Sequence, residues 1–396
     1  MQFGPFLDPE MSGDQFAEAP LLREIQKVLA ASRGPVNWEL ARQAAIGSIA
    51  GVEDPAPSED DQRMLEDTVR AAELQIAEFT GLESPGDVAG VQAVKRSQWI
   101  SSNIESLRGL IDPAAGRIGA AIERSMPAGT ETEAAGAMPG AEMVPPEMFR
   151  QMSSLLLGAQ VGSVLGFLAQ RVLGQYDIAV PRPTPALLFV MPNIKAFEKD
   201  WSLAPQEFRA WVALHEVTHR FEFASGWSRE HFRTLLDDYL SNVEFDVGAL
   251  QQRFEQLDIA NPEALQSMMQ DDEELFGPVL DDEQRIKLAR VQAFMSAAEG
   301  YGDHVAHTLG KRMLTSYGQI QEATRRYREG EATDPVFGRL LGIEIKREQY
   351  EAGRAFCDKV AEETDEKTLA RMWDSAESLP SLPEIYEPTL WLSRSV

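Results

Sequence analysis

The chain of 396 residues contains a single cysteine, Cys357. One thiol closes no internal disulfide and excludes Cys-based zinc fingers and iron–sulfur clusters. With no disulfide framework, a reducing cytoplasm is the expected compartment. Basic residues are also scarce: 37 Lys+Arg face 63 Asp+Glu, a formal net charge of −26. So acidic a surface repels phosphate backbones and anionic headgroups, so neither nucleic acid nor a membrane is an expected partner. The opening MQFGPFLDPEMSGDQF has no basic region and no apolar run, and no secretory signal is expected. Residues 151–170, QMSSLLLGAQVGSVLGFLAQ, are free of charge, and Gly158, Gly162 and Gly166 space small residues as membrane-helix dimers do. Gln151, Ser153, Ser154, Gln160, Ser163 and Gln170 are costly in lipid, so the expectation is a buried central helix whose glycines admit a close neighbour.

What is present is an ordinary globular balance, 43% hydrophobic and 25% charged. Apolar spacing predicts helices over 17–33, 37–50 (with Asn37 as N-cap), 59–79 and 97–110, which form an N-terminal helical region, 1–125, packing on a core. Residues 126–147, rich in Pro, Gly, Ala and Glu, read as a flexible loop, linker or lid. A zone from 148 to 396 follows: the glycine-laddered helix to about 173, a short strand at Tyr176–Val180, a turn over 181–185 and the strand Ala186–Met191. Pro205 opens a helix that stops near Gly226, and further helices are predicted at 229–256, 262–270 and 282–313. Helices continue into the last third, where Pro380, Pro383 and Pro388 interrupt an extended tail.

The helix after Pro205 carries His215-Glu216-Val217-Thr218-His219, an HExxH motif. Residues four apart share one helix face, so both imidazoles reach a single ion. Zinc takes neutral imidazole nitrogen in tetrahedral sites, and the adjacent Glu216 is placed to receive a proton from a water there. Phe208, Trp211, Val212 and Leu214 lead into the histidines, which continue an inward-facing stripe. The competing reading is a pair of core histidines bonded to backbone.

A hydrolytic zinc site needs a third protein ligand. The helix at 282–313 has an apolar stripe, Val291, Met295, Ala298, Gly302, Val305 and Leu309, and Glu299 falls within it. A carboxylate facing a core is costly unless neutralised. Asp303, one turn on, suits the outer ring nitrogen of a ligand histidine. The alternative is a solvent-facing acidic pair.

HEVTH followed by the later run Glu299-Gly-Tyr-Gly-Asp303 resembles the gluzincin pattern of zinc peptidases. With VNWELARQAA at 36–45, GAQVGSVLGFLAQRVLGQYDIAVP at 158–181, HEVTHRFEF and the closing Pro-x-Leu-x-Glu-Ile stretch, the chain is similar to a bacterial family of zincin-like hydrolases. That family is variously labelled zinc-dependent metalloprotease or coenzyme F420 biosynthesis-associated. The resemblance covers most of the chain. It implies a predominantly helical α+β fold: a zincin-like metallopeptidase core with a small sheet and additional N-terminal and C-terminal helices. It also implies Zn2+ held by His215, His219 and Glu299, with Glu216 as general base and Asp303 orienting a ligand. Tyr301, His304 and His307 are the nearby candidates to donate to an oxyanion. The strand ALLFVM is either an edge that pairs with an extended substrate or an internal core strand.

Three functions are therefore open: a zinc metallohydrolase acting on a peptide or protein substrate, a non-catalytic metal- or partner-binding protein, and a hydrolase or processing factor for a small molecule. Oligomeric state is not legible.

Overall fold

A computed structural model describes residues 34–85, 90–125, 146–175, 186–241, 244–245, 278–279, 281–330 and 347–395. The helix expected at 17–33, the strand at 176–180, the turn at 181–185 and the helix at 262–270 lie outside these residues, as does the loop expected at 126–147 apart from its last two residues, which are helical.

Local signals account for the helix starts. In α1 (Trp38–Ser48) the Asn37 side chain accepts from the Leu40 amide. Ahead of α2 (Glu59–Thr80), Ser58 and Asp61 form a reciprocal capping box, and Gly81, at φ 73°, ends the helix in the left-handed conformation that favours glycine. Strand β1 (Val91–Val94) was not anticipated; it is too short to show a period. Helix α3 (Arg96–Ser125) runs well past the expected end at 110 and contains Pro113. Buried Ile111, Ala114 and Ala115 hold it to the core, and Trp38 donates to Asp112 at 2.8 Å.

Helix α4 (Pro146–Ala169) carries the glycine ladder. It qualifies by length and composition as a membrane span over Arg150–Ala169, with 56% of that window buried. The glycines meet α1: a Cβ on Gly158 would fall 2.5 Å from the Asn37 carbonyl oxygen, and one on Gly162 would fall 2.5 Å from that of Ala41. Two of the sequence motifs, VNWELARQAA and the ladder, are thus the two sides of one helix contact.

Strand β2 (Leu187–Val190) is buried throughout and pairs in parallel with β1, Val91 opposite Leu187. Its other edge is taken by the chain just after α4, where Val190 N–H donates to Leu173 O and Phe189 forms an antiparallel bridge with Gly174. ALLFVM is therefore an internal strand, and the edge reading is corrected. Helix α5 (Met191–Asp200), with Pro192 in its first turn, follows the strand directly. The motif helix α6 (Pro205–Glu222) follows.

Helix α7 (Gly226–Ser241) ends well before 256, because the chain enters β3 (Glu244–Phe245), paired antiparallel with β4 (Pro278–Val279). Helix α8 (Asp282–Met313) has the expected bounds and starts on an Asp281 cap. Then come α9 (Tyr317–Gly330), α10 (Arg347–Glu363) and α11 (Glu366–Ala370). Two of the three prolines of the tail start helices: Pro383 lies in the first turn of α12 (Leu382–Tyr386), and Pro388 opens α13 (Pro388–Ser395). The fold is predominantly helical α+β with a small parallel sheet, and one hydrophobic cluster runs from Val36 to Trp391. Residues 34–125 share that core and supply one strand of its sheet.

Candidate metal centre

Helix α6 is the spine of the site. Every residue from Trp211 to Glu222 is buried, polar ones included. Charges in that position need partners, and α2 and α5 supply them. Arg209 makes a two-pronged bond to Glu198 at 2.6 and 3.0 Å, with Asp61 at 3.6 Å. Arg220 pairs with Glu73 at 3.3 Å. These contacts fix the rotation of α6, and so the direction of its histidines.

Helix α8 crosses the open side of that spine. His215, His219 and Glu299 each offer a ligand atom, and the three atoms lie within 4.8 Å of one another. Nε2 of His219 is 3.9 Å from Glu299 Oε1. Nε2 of His215 is sealed from solvent and makes no hydrogen bond among the described residues. Ligand bonds of about 2.0–2.2 Å set neighbouring donors roughly 3.3–3.6 Å apart, so small side-chain rotations close the three on a divalent ion. Two imidazoles and a carboxylate are the donor set of a catalytic zinc site. The residues present fit the ion.

Two glycines of the EGYGD run make the approach possible. A Cβ on Gly302 would fall 2.8 Å from Cε1 of His219, so only a bare backbone lets the ring lie there. On another face of α8, a Cβ on Gly300 would fall 2.2 Å from the Gly353 carbonyl carbon, so α10 packs backbone to backbone.

Glu216 is 1% exposed in its helix position beside His215. The chain after α4 lies directly over it: a Cβ on Gly174 would fall 2.1 Å from its Cδ. That segment is held from both ends, by Asn193 donating to Val172 O at 2.6 Å and Gln175 donating to Asn103 at 3.1 Å.

The structure sorts the remaining expected residues. Asp303 Oδ1 is 3.4 Å from His215 Nε2, so it meets the ring at the nitrogen on the ion side rather than at the outer one. The outer nitrogen of His219 is met instead by Glu222, Nδ1 to Oε2 at 2.8 Å, a residue the sequence reading passed over. Its signal was the spacing: Glu222 follows His219 by three, on the same helix face. Burial opposes charge on the His219 ring, but Glu222, Glu299 and Glu216 outweigh it and push its pKa up to about 10, so a cation taking that ring displaces a proton.

The three oxyanion candidates meet other partners. At 100° per residue, Tyr301 and His304 fall on the side of α8 away from Glu299 and Gly302. The Tyr301 ring is buried edge-on to Trp373, 5.8 Å between centroids, and burial pushes its hydroxyl well above the usual phenol range. Both ring nitrogens of His304 are taken, Nδ1 by Asp358 at 2.6 Å and Nε2 by Glu366 at 2.9 Å. His307 Nδ1 is 2.5 Å from the Tyr317 hydroxyl.

Comparison with known proteins agrees with this geometry. A family model described as zincin-like metallopeptidase matches residues 36–392. The chain belongs to that family. A crystal structure from Chloroflexus aurantiacus, described as a candidate hydrolase with a novel fold, is similar at 31% identity and a TM-score of 0.66, over 91% of this chain and 98% of that one. No curated protein matches the chain.

Proposed function

We propose that the protein is a zinc-dependent hydrolase of peptide bonds, with His215, His219 and Glu299 holding the ion and Glu216 as general base. The carrying observation is the convergence of those three donors from two helices to within 4.8 Å. When bound, the ion supplies Lewis acidity, lowering the pKa of a water and polarising a carbonyl. The chain's own residues do the rest. Glu216, beside the first ligand, takes the proton of the attacking water and returns it to the leaving amine. Its enclosure under Gly174 keeps bulk water from that carboxylate. Asp303, at the rim, pairs with His215 and limits the swing of its ring.

The test is Glu216→Gln. This variant should bind one equivalent of Zn2+ as wild type does and lose at least ~100-fold in turnover on a broad peptide library, the range of general-base loss. Unchanged turnover would remove Glu216 from the chemistry. One observation favours a second reading, a metal-binding protein that does not cleave: the backbone at Gly174 sits where a substrate would approach Glu216. Chelator-sensitive cleavage of any peptide in the library excludes it.

A further inference from the structure

Glu222 is 0% exposed, and its Oε2 lies 2.8 Å from Nδ1 of His219. Its second oxygen, Oε1, is buried without a hydrogen-bond partner. A carboxylate enclosed with a single hydrogen bond is expensive. Core packing alone would be served better by Leu or Met at this position. The placement acts on the ring it touches. When a cation displaces the Nε2 proton, an ionised Glu222 accepts from Nδ1–H, and the lone pair is left on Nε2, which faces Glu299 at 3.9 Å. The same bond stops the ring turning about its own axis. Gly302 bounds the ring on its other side, where no side chain fits.

We propose that Glu222 is a positioning residue of the metal centre: it fixes the tautomer and orientation of His219 and, through the ring, strengthens Nε2 as a ligand. The inference rests on the reading of His215, His219 and Glu299 as a cation site. It deepens that reading by assigning the outer partner to Glu222, which comes from α6 itself rather than from the Asp303 that follows the third ligand. A negative charge behind the imidazole also balances part of the ion's charge in a buried site.

Glu222→Gln preserves shape and an acceptor but removes the charge; Glu222→Leu removes both. Zn2+ affinity, measured on the full chain by competition with a chromophoric chelator, should fall ~10-fold for the first and up to ~100-fold for the second, the range for outer partners of ligand histidines. The Co2+-substituted protein should show a shifted d–d spectrum in both. A purely structural role would lower resistance to urea while leaving Zn2+ affinity and the Co2+ spectrum of the folded protein at wild-type values, and that result overturns the proposal. Should neither variant fold, 15N imidazole shifts of the Zn2+-loaded wild type decide: Nε2 metallated with Nδ1–H is expected for His219, and metallation at Nδ1 overturns it. A wild-type chain that binds no Zn2+ overturns the cation site and this inference together; tight wild-type binding that the variants share overturns this inference alone.

Discussion

The imidazole of His219 lies against the bare Cα of Gly302, close enough that a methyl group there would stand 2.8 Å from Cε1. A third ligand on α8 can reach the α6 histidines because this position has no side chain. The prediction for Gly302→Ala is loss of Zn2+ affinity by at least ~10-fold, with about 1–3 kcal/mol of destabilisation from overpacking. Isothermal titration with Zn2+ and urea unfolding check the two effects separately. Affinity equal to wild type would show that the ring has room to move.

A second contact of the same kind separates binding from catalysis. A Cβ on Gly174 would fall 2.1 Å from Cδ of Glu216 and 2.4 Å from each of its two oxygens. Gly174→Ala should therefore displace the Glu216 carboxylate, keep Zn2+ binding near wild type and cut peptide turnover by at least ~10-fold, as loss of a general base does. Parallel loss of metal would mean that the strand segment supports the ligands as well.

His304 joins α8 to Asp358 of α10 and Glu366 of α11, and this gives stability a defined pH dependence. Burial disfavours its charged form, but hydrogen bonds to the two carboxylates prevail and raise its pKa from 6.5 to about 9. A pKa raised in the folded state contributes stability fully below the unfolded value of 6.5, and this is lost as pH climbs through about 9. On the acid side, burial works against ionised Asp358, yet its bond to His304 lowers its pKa from 3.8, so that contribution is present above 3.8 and lost as pH falls. The clamp is fully formed between those limits. His304→Gln should cost about 2 kcal/mol at pH 6, after allowance for solvent screening at the half-exposed Asp358, and the gap to wild type should narrow steadily towards pH 10. Urea unfolding across that range measures it. A gap independent of pH would show that the clamp carries no charge.

The ladder of α4 predicts a large effect far from the metal. A Cβ on Gly162 would fall 2.5 Å from Ala41 O and 2.7 Å from Ala44 Cβ, on the backbone of α1. Gly162→Leu should force α1 and α4 apart and destabilise the protein by about 3 kcal/mol, at the upper end of overpacking costs. Gly47, with nothing within 4 Å, is the control, and Gly47→Ala should be neutral or better in a helix. Thermal unfolding of the pair gives the comparison.

Much of this architecture is legible in the residues themselves. The caps Asn37, Ser58 and Asp281 mark helix starts because each needs only its own first turn. His215 and His219 share a face by helix geometry alone, and the stripe around Glu299 places that carboxylate inward. The illegible parts depend on other segments. Strand β1 exists because β2 lies beside it, and Pro383 and Pro388 start helices because Ile385 and Trp391 are buried on the core. Tyr301 and His304 sit near Glu299 in sequence but turn away, His304 to α10 and α11 and Tyr301 to Trp373, since nearness along a helix includes both of its faces.

The sequence by itself determined that two histidines share one face of a helix and a carboxylate stands on another, because spacing within a helix is set by local hydrogen bonds. Tertiary packing decided where the α8 carboxylates meet the rings: Asp303 comes to Nε2 of His215 at 3.4 Å, while Nδ1 of His219 is already met by Glu222, three residues on along its own helix. Only the crossing of α8, permitted where Gly302 and Gly300 leave room on both sides, brought Glu299 to the histidines.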